Sequence, residues 1–197
     1  KTPIPLEGPS SRTYVGFYNI DHENWDYPRK QPFSLPESQR SGILTHPAWL
    51  IAWSGNFDND PIRRGKWIRE HLFADYVPEI PITVNAVISE DRKHTLRTRI
   101  KPTRAKECWT CHKKMNPLGL PFENFDDFGR FRNAEVLDEI LSIFPERHRD
   151  ARTTPIDASG EIIDSGDKQI DGNVKSVFEL LDRLANSPRV RQSFVRH

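Results

Sequence analysis

Cys108, Trp109, Thr110, Cys111 and His112 stand in the order that covalent haem attachment requires. Two thiols separated by two residues can add across the two vinyl groups of one porphyrin. The histidine directly after the second thiol then lies under the iron as its proximal ligand. Two other chemistries use similar residues. A zinc site needs two further Cys or His ligands in a partnering pair, but the chain has no third cysteine, and His46, His71, His94 and His148 are scattered along it. A thioredoxin-like dithiol normally follows a strand in a βαβ pattern, and none surrounds Cys108. The expected cofactor is therefore one covalent haem c, bound by Cys108 and Cys111, with His112 as the proximal iron ligand.

The distal side has several candidates. Met115, the chain's one methionine, falls three residues after His112 on the same helical face and is read as packing. His46, ahead of Pro47-Ala48-Trp49-Leu50, is the first candidate for a distal iron ligand. His94 and His71 follow, with a tyrosine or water also open. A six-coordinate haem passes electrons between partner proteins or to further haems. An open distal side next to Arg63, Arg64, His71 or Glu123 would instead make a haem peroxidase or oxygen-activating enzyme. Electron transfer is the favoured reading, and a haem that mainly holds a structural module together is a third. Asp157, Asp164, Asp167 and Asp171 offer the hard oxygens that calcium takes, but their spacing matches no EF-hand loop, so they are read as turn formers.

Composition bounds the setting. The 197 residues carry 29 basic and 28 acidic side chains, a formal net charge of +1. That balance argues against nucleic acid or a membrane surface as the main partner. No apolar run approaches the roughly 18 residues of a spanning helix. Lys1-Thr2-Pro3-Ile4-Pro5 is not a signal peptide, so the chain is read as already processed and not membrane-spanning. Hydrophobic residues are only 36% of the chain, concentrated in eleven Phe, five Trp and four Tyr, and a buried cofactor would help fill such a core. Haem c chemistry implies the far side of a bacterial inner membrane, in the periplasm or outside the cell.

The elements that must position the motif follow from turn and cap signals. Residues 1–39, rich in Pro, Asn and aromatic rings, read as an extended N-terminal arm. A short helix is expected over 45–54 with Thr45 as its cap, and a second from the Asp60 cap through Pro61 to about Phe73, with Ile62, Trp67, Ile68 and Leu72 inward. Ser89 starts a basic helix to Ile100, and Thr103 starts the one that carries the cysteines. Asn116-Pro117-Leu118-Gly119 breaks it, and Phe122, Phe125, Phe128 and Phe131 recur every three residues as core rings. Asn133 to Phe144 reads as a helix, Ile156 to Asp164 as a hairpin turning near Ser159-Gly160, and Val174 to Asn186 as the last long helix, with Ser187-Pro188 opening one more turn. The fold expected is mainly α, a cytochrome c-like helical haem domain with a short β-hairpin and the Pro-rich arm. Its parts are 1–39, a haem-binding domain over 40–150 and a C-terminal helical segment over 151–197.

The run Cys108-Trp-Thr-Cys-His-Lys-Lys-Met-Asn-Pro-Leu-Gly-Leu-Pro-Phe-Glu-Asn-Phe-Asp-Asp-Phe-Gly-Arg-Phe-Arg132 resembles the haem segment of the DUF1588 module. That module belongs to large secreted planctomycete-type and related bacterial cytochromes, where DUF1592 precedes it and DUF1585 follows. Arg40 to Leu50 and Pro61 to Arg69 are similar to its other recurrent segments. Ile156 to Glu161 and Asp171 to Phe178 are similar to the start of DUF1585. The chain departs from the pattern in a longer insert between Arg132 and Pro155 and in a thin proline stretch reduced to Pro78 and Pro81. The resemblance implies a c-type haem, secretion, and partners that are a redox protein or other subunits of a larger complex, of which this chain would be a processed part.

Overall fold

The computed structural model describes residues 36–55, 58–79, 88–137 and 152–196. Among them are seven α-helices and two antiparallel strand pairs, so the chain is mainly helical with small β elements. The arm expected over 1–39 falls outside the described residues as far as residue 35.

Helix α1 (Pro47–Ala52) opens on a proline, whose missing N–H goes unnoticed in a first turn. Its cap is His46, whose Nδ1 accepts from the Ala48 N–H at 3.2 Å. Thr45 does not serve, because its Oγ1 takes the Ser41 N–H at 2.7 Å within the preceding 3-10 turn, Ile43–Thr45. Helix α2 (Pro61–His71) starts as expected, with Asp60 Oδ1 accepting from the Arg63 N–H at 2.9 Å. Its inner face differs. Ile68 and Leu72 are buried, but so are Arg64 and Arg69, while Ile62 and Trp67 are half-buried. Apolar periodicity cannot announce a buried guanidinium.

Arg64 stays dry because its Nη atoms donate to the carbonyls of Leu50, Phe122, Phe125 and Asp126 and to Ser54 Oγ, all within 2.9–3.1 Å. Charge spread over five acceptors lowers the penalty of losing water. Burial still pushes the pKa of Arg64 down to about 9.

The next segment shifts several boundaries. Only Leu96–Arg99 (α3) is helical in the stretch from Ser89, and Thr95 caps it. Ahead of it, Ser89 Oγ accepts the Asp91 N–H and Asp91 Oδ1 accepts the Lys93 N–H. These local bonds favour a turn over a helix. A 3-10 turn covers Lys101–Arg104, and the cysteine-bearing helix α4 runs Lys106–His112, not from Thr103. The break comes at residues 113–115, and Asn116–Gly119 is itself a helical turn, α5, continued by a 3-10 turn at Leu120–Asn124.

Helix α5 lies backbone to backbone on α2. A Cβ added at Gly65 would stand 1.9 Å from Met115 O, and one at Gly119 would stand 1.7 Å from Pro61 O. Only glycine permits that approach. The phenylalanine ladder divides: Phe122 and Phe125 are fully buried, Phe131 packs edge-on to Phe125 at 5.6 Å, and Phe128 is exposed.

The helix expected from Asn133 begins instead as strand β1 (Ala134–Val136), antiparallel to β2 (Thr153–Pro155) with Ala134 opposite Pro155. Pairing with a distant strand overrides local propensity there, and residues 138–151 lie outside the described set. The expected hairpin exists with a different turn. Strand β3 (Gly160–Ile162) pairs with β4 (Gly172–Val174) around the loop 163–171. Gly160 serves contact, not turning, since a Cβ there would meet Pro117 O at 2.3 Å. Helix α6 (Val177–Asn186) begins after its Ser176 cap, later than Val174, and α7 (Pro188–Arg196) follows. One apolar cluster joins Leu50, Ile68 and Phe122 to Ile162, Val177 and Leu180. The segment after residue 152 therefore shares the core of α1, α2 and the Phe122 turn.

Candidate functional site

Helix α4 carries both thiols and buries nothing. None of the residues from Lys101 to His112 is buried, and the main packing neighbour of α4 is the 3-10 turn that precedes it. Cys108 and Cys111 are free thiols, each half-buried. Trp109 sits beside them with the Arg104 guanidinium 5.6 Å from its ring centroid. A structured helix with no buried residue holds its place through its ends.

The downstream end is the firm one. Arg69 Nε donates to Lys114 O at 3.1 Å, while its Nη atoms donate to the carbonyls of Ile163 and Asp164. Lys114 Nζ pairs with Asp75 at 3.1 Å. Met115 is 6% exposed, which agrees with a packing role. Asn116, at 3% exposure, opens the buried α5.

His112 reaches back into that buried turn. Its Nδ1 lies 2.9 Å from Asn116 Oδ1, Asn116 Nδ2 donates to Thr103 Oγ1 at 2.8 Å, and Thr103 Oγ1 donates to Ile100 O at 2.6 Å. The orienting acceptor is thus the Asn116 side chain. A carbonyl oxygen only accepts, so His112 Nδ1 bears the proton and the neutral ring keeps its lone pair on Nε2. Iron ligation by Nε2 needs that tautomer. Two accessible thiols, an uncovered helix and a ligand nitrogen in the right state fit a covalently attached haem. Bound there, it would be held by Cys108, Cys111 and His112 and would supply a one-electron couple.

The other sequence candidates carry bonds of their own. His46, His71 and His94 are all exposed. His71 Nδ1 lies 3.0 Å from Trp67 O, with its ring stacked on Trp67, and His94 Nδ1 lies 2.9 Å from an Asp91 carboxylate oxygen. Both acceptors place the proton on Nδ1 and free Nε2. His46 is the reverse case. Its Nδ1 accepts in the α1 cap, which puts the neutral ring's proton on Nε2, so ligation through Nε2 would require surrender of the cap.

Arg63 is exposed and paired with Asp60 at 3.4 Å, and Arg64 is committed to its carbonyls. Glu123 is 2% exposed, 3.9 Å from Arg97 Nε. Burial drives its pKa up to about 8, against the pull of Arg97. Arg97 also donates to the carbonyls of Asp157 and Ser159, so this pair clamps the approach to β3. The aspartates of the calcium reading act in turns: Asp157, Asp167 and Asp171 accept the N–H groups of Ser159, Gln169 and Ser165 at 3.0–3.1 Å. Among the described residues, no three His, Cys, Asp or Glu side chains converge as a metal-holding group, and no helix is long and apolar enough to cross a membrane.

Asn116, Thr103 and Arg69 are the residues of this site that sequence reasoning missed. An asparagine four positions after the histidine was a usable signal, since a helix break between them returns its amide toward the ring. Arg69 offered none, because the hydrogen bonds that place it run to backbone carbonyls distant in the chain.

Residues 40–135 match the family model described as a protein of unknown function (DUF1588), PSCyt3. We found no matching curated protein and no matching solved structure. The matched span contains α1 to α5, the thiols, His112 and its Asn116 partner, and ends before β2, so the likeness expected at Ile156 to Glu161 and Asp171 to Phe178 lies beyond it. Residues 40–135 are thus similar to modules of the DUF1588 type.

Proposed function

We propose that this chain is a monohaem c-type cytochrome domain that transfers electrons in a secreted bacterial redox complex. One haem c would be joined to Cys108 and Cys111 and ligated by His112. The observation that carries the reading is the state of His112. Its Nδ1 is satisfied by Asn116 and its Nε2 is left basic, on a helix that presents two thiols and buries no residue.

Electron transfer is favoured over peroxide or oxygen chemistry by the engagement of the polar groups. Arg64 and Glu123 are buried in structural networks and Arg63 is paired with Asp60. What the chain's residues then do is attach, ligate and orient; an exposed haem edge suffices for exchange with a partner protein. Covalent attachment of haem c would put the site of action in the periplasm or outside the cell, with a redox protein or neighbouring subunits as partners. The test is a spectroscopic redox titration of the matured protein. One reversible one-electron step per chain without peroxide turnover is expected, whereas rapid peroxide turnover by a high-spin ferric form would replace this reading with the peroxidase one.

A further inference from the structure

We infer that Asn116 and Thr103 are positioning residues that fix the tautomer and electron-donating strength of His112, and so set the reduction potential of the group it ligates. The inference rests on the haem reading above and deepens it. Direction is legible along the whole relay. The Ile100 carbonyl can only accept, so the Thr103 hydroxyl donates to it at 2.6 Å. With its one proton committed, Thr103 Oγ1 must accept, and Asn116 Nδ2 donates to it at 2.8 Å. The Asn116 amide cannot then flip, its Oδ1 faces His112, and Nδ1 of the ring is compelled to donate at 2.9 Å. Each choice fixes the next, and the first is fixed by backbone.

Placement strengthens the assignment. His112 sits on α4, which buries nothing, whereas Asn116 is 3% exposed on α5. Helix α5 cannot shift against α2, because Gly65 and Gly119 hold the two backbones in contact. The rigid core therefore grips a half-buried ligand through one amide. Partners behind a ligating histidine hold its ring and raise its basicity. An amide acceptor does so less than a carboxylate, since it draws the Nδ1 proton less strongly. Asn116 thus keeps the proton of His112 on Nδ1 and gives the ligating ring an intermediate donor strength.

The test uses the matured, haem-bearing protein and its variants, each first checked for covalent haem. Asn116→Asp should lower the reduction potential, because a carboxylate makes the ring a stronger donor to the oxidised iron. Asn116→Leu should raise it, because the ring loses its acceptor. Thr103→Val, which frees the amide to turn, should shift the potential in the same direction as Asn116→Leu, and Thr103→Ser should restore the original value. The added charge of Asp alone does not account for the two variants that introduce none. In proton NMR of the reduced protein, the His112 Nδ1–H should exchange slowly in the parent and in Thr103→Ser, and much faster in Thr103→Val and Asn116→Leu. Should the variants that carry haem keep the parent's potential and exchange rate, the positioning role is overturned while the haem reading stands. Absence of covalent haem in the parent would instead remove the reading beneath it.

Discussion

His112 shows how much a single residue's partner decides. The motif that names it as a ligand is readable as a string, but the string does not say which ring nitrogen is free. That follows from Asn116, brought into reach by a helix break the sequence places slightly too late. His46 teaches the converse. Its place before Pro47 suggests a projecting ligand, and the structure gives it a cap. His46→Ser keeps a cap acceptor and removes the imidazole, so it separates the two roles. An unchanged ferric spin state is expected from the cap geometry, and conversion to high spin would make His46 the distal ligand. Glu123 yields a pH prediction. Its folded-state pKa of about 8 lies above the ordinary 4.5, so between those values the folded chain retains a proton that the unfolded chain has lost. Stability from this group is full below pH 4.5 and falls as pH rises toward 8. Glu123→Gln keeps the neutral shape and removes that slope. Urea unfolding should find variant and parent alike near pH 4 and the variant more stable at pH 8, by on the order of 2 kcal/mol.

At the scale of elements, the site is an exposed helix riveted to a buried one. The contact of α5 with α2 leaves no room for a side chain at Gly65 or Gly119. Gly119→Ala should therefore cost about 2 kcal/mol or more through forced separation of the backbones, read as a lower midpoint in thermal unfolding. Arg64 ties α2 to the carbonyl ends of α1 and of the Phe122 turn. Arg64→Met fits the space but removes five hydrogen bonds and leaves the Phe125 carbonyl without its donor, and should lower stability by about 3 kcal/mol in denaturant titration. The sequence announces α2 through Asp60-Pro61 and α6 through its apolar spacing, because both signals are local. It misses β1 because Ala134–Val136 is a strand only by virtue of Thr153–Pro155 across a long insert. It overextends the helix before Ile100 because Ser89 and Asp91 bond their own neighbours.

For the whole molecule, the apolar cluster closes through Leu50, Ile68, Phe122, Val177 and Leu180 without a residue of α4. The sequence foretells a helix-rich domain correctly, and its aromatic-rich, aliphatic-poor composition carries the expectation that a buried cofactor would help fill the core. Among the described residues, Trp49 makes ring contact with both Trp67 and Phe122 in that cluster, and the thiols lie outside it. A Cys108→Ala, Cys111→Ala variant should accordingly keep most of its far-ultraviolet helical signal and a cooperative melt. The central claim is covalent haem at α4, and the most direct measurement is the intact mass of the chain after acid-acetone extraction, made on protein matured with a competent haem lyase. One haem retained per chain, lost when Cys108 and Cys111 are both replaced by alanine, is the predicted result; a haem-free mass from properly matured protein would contradict it.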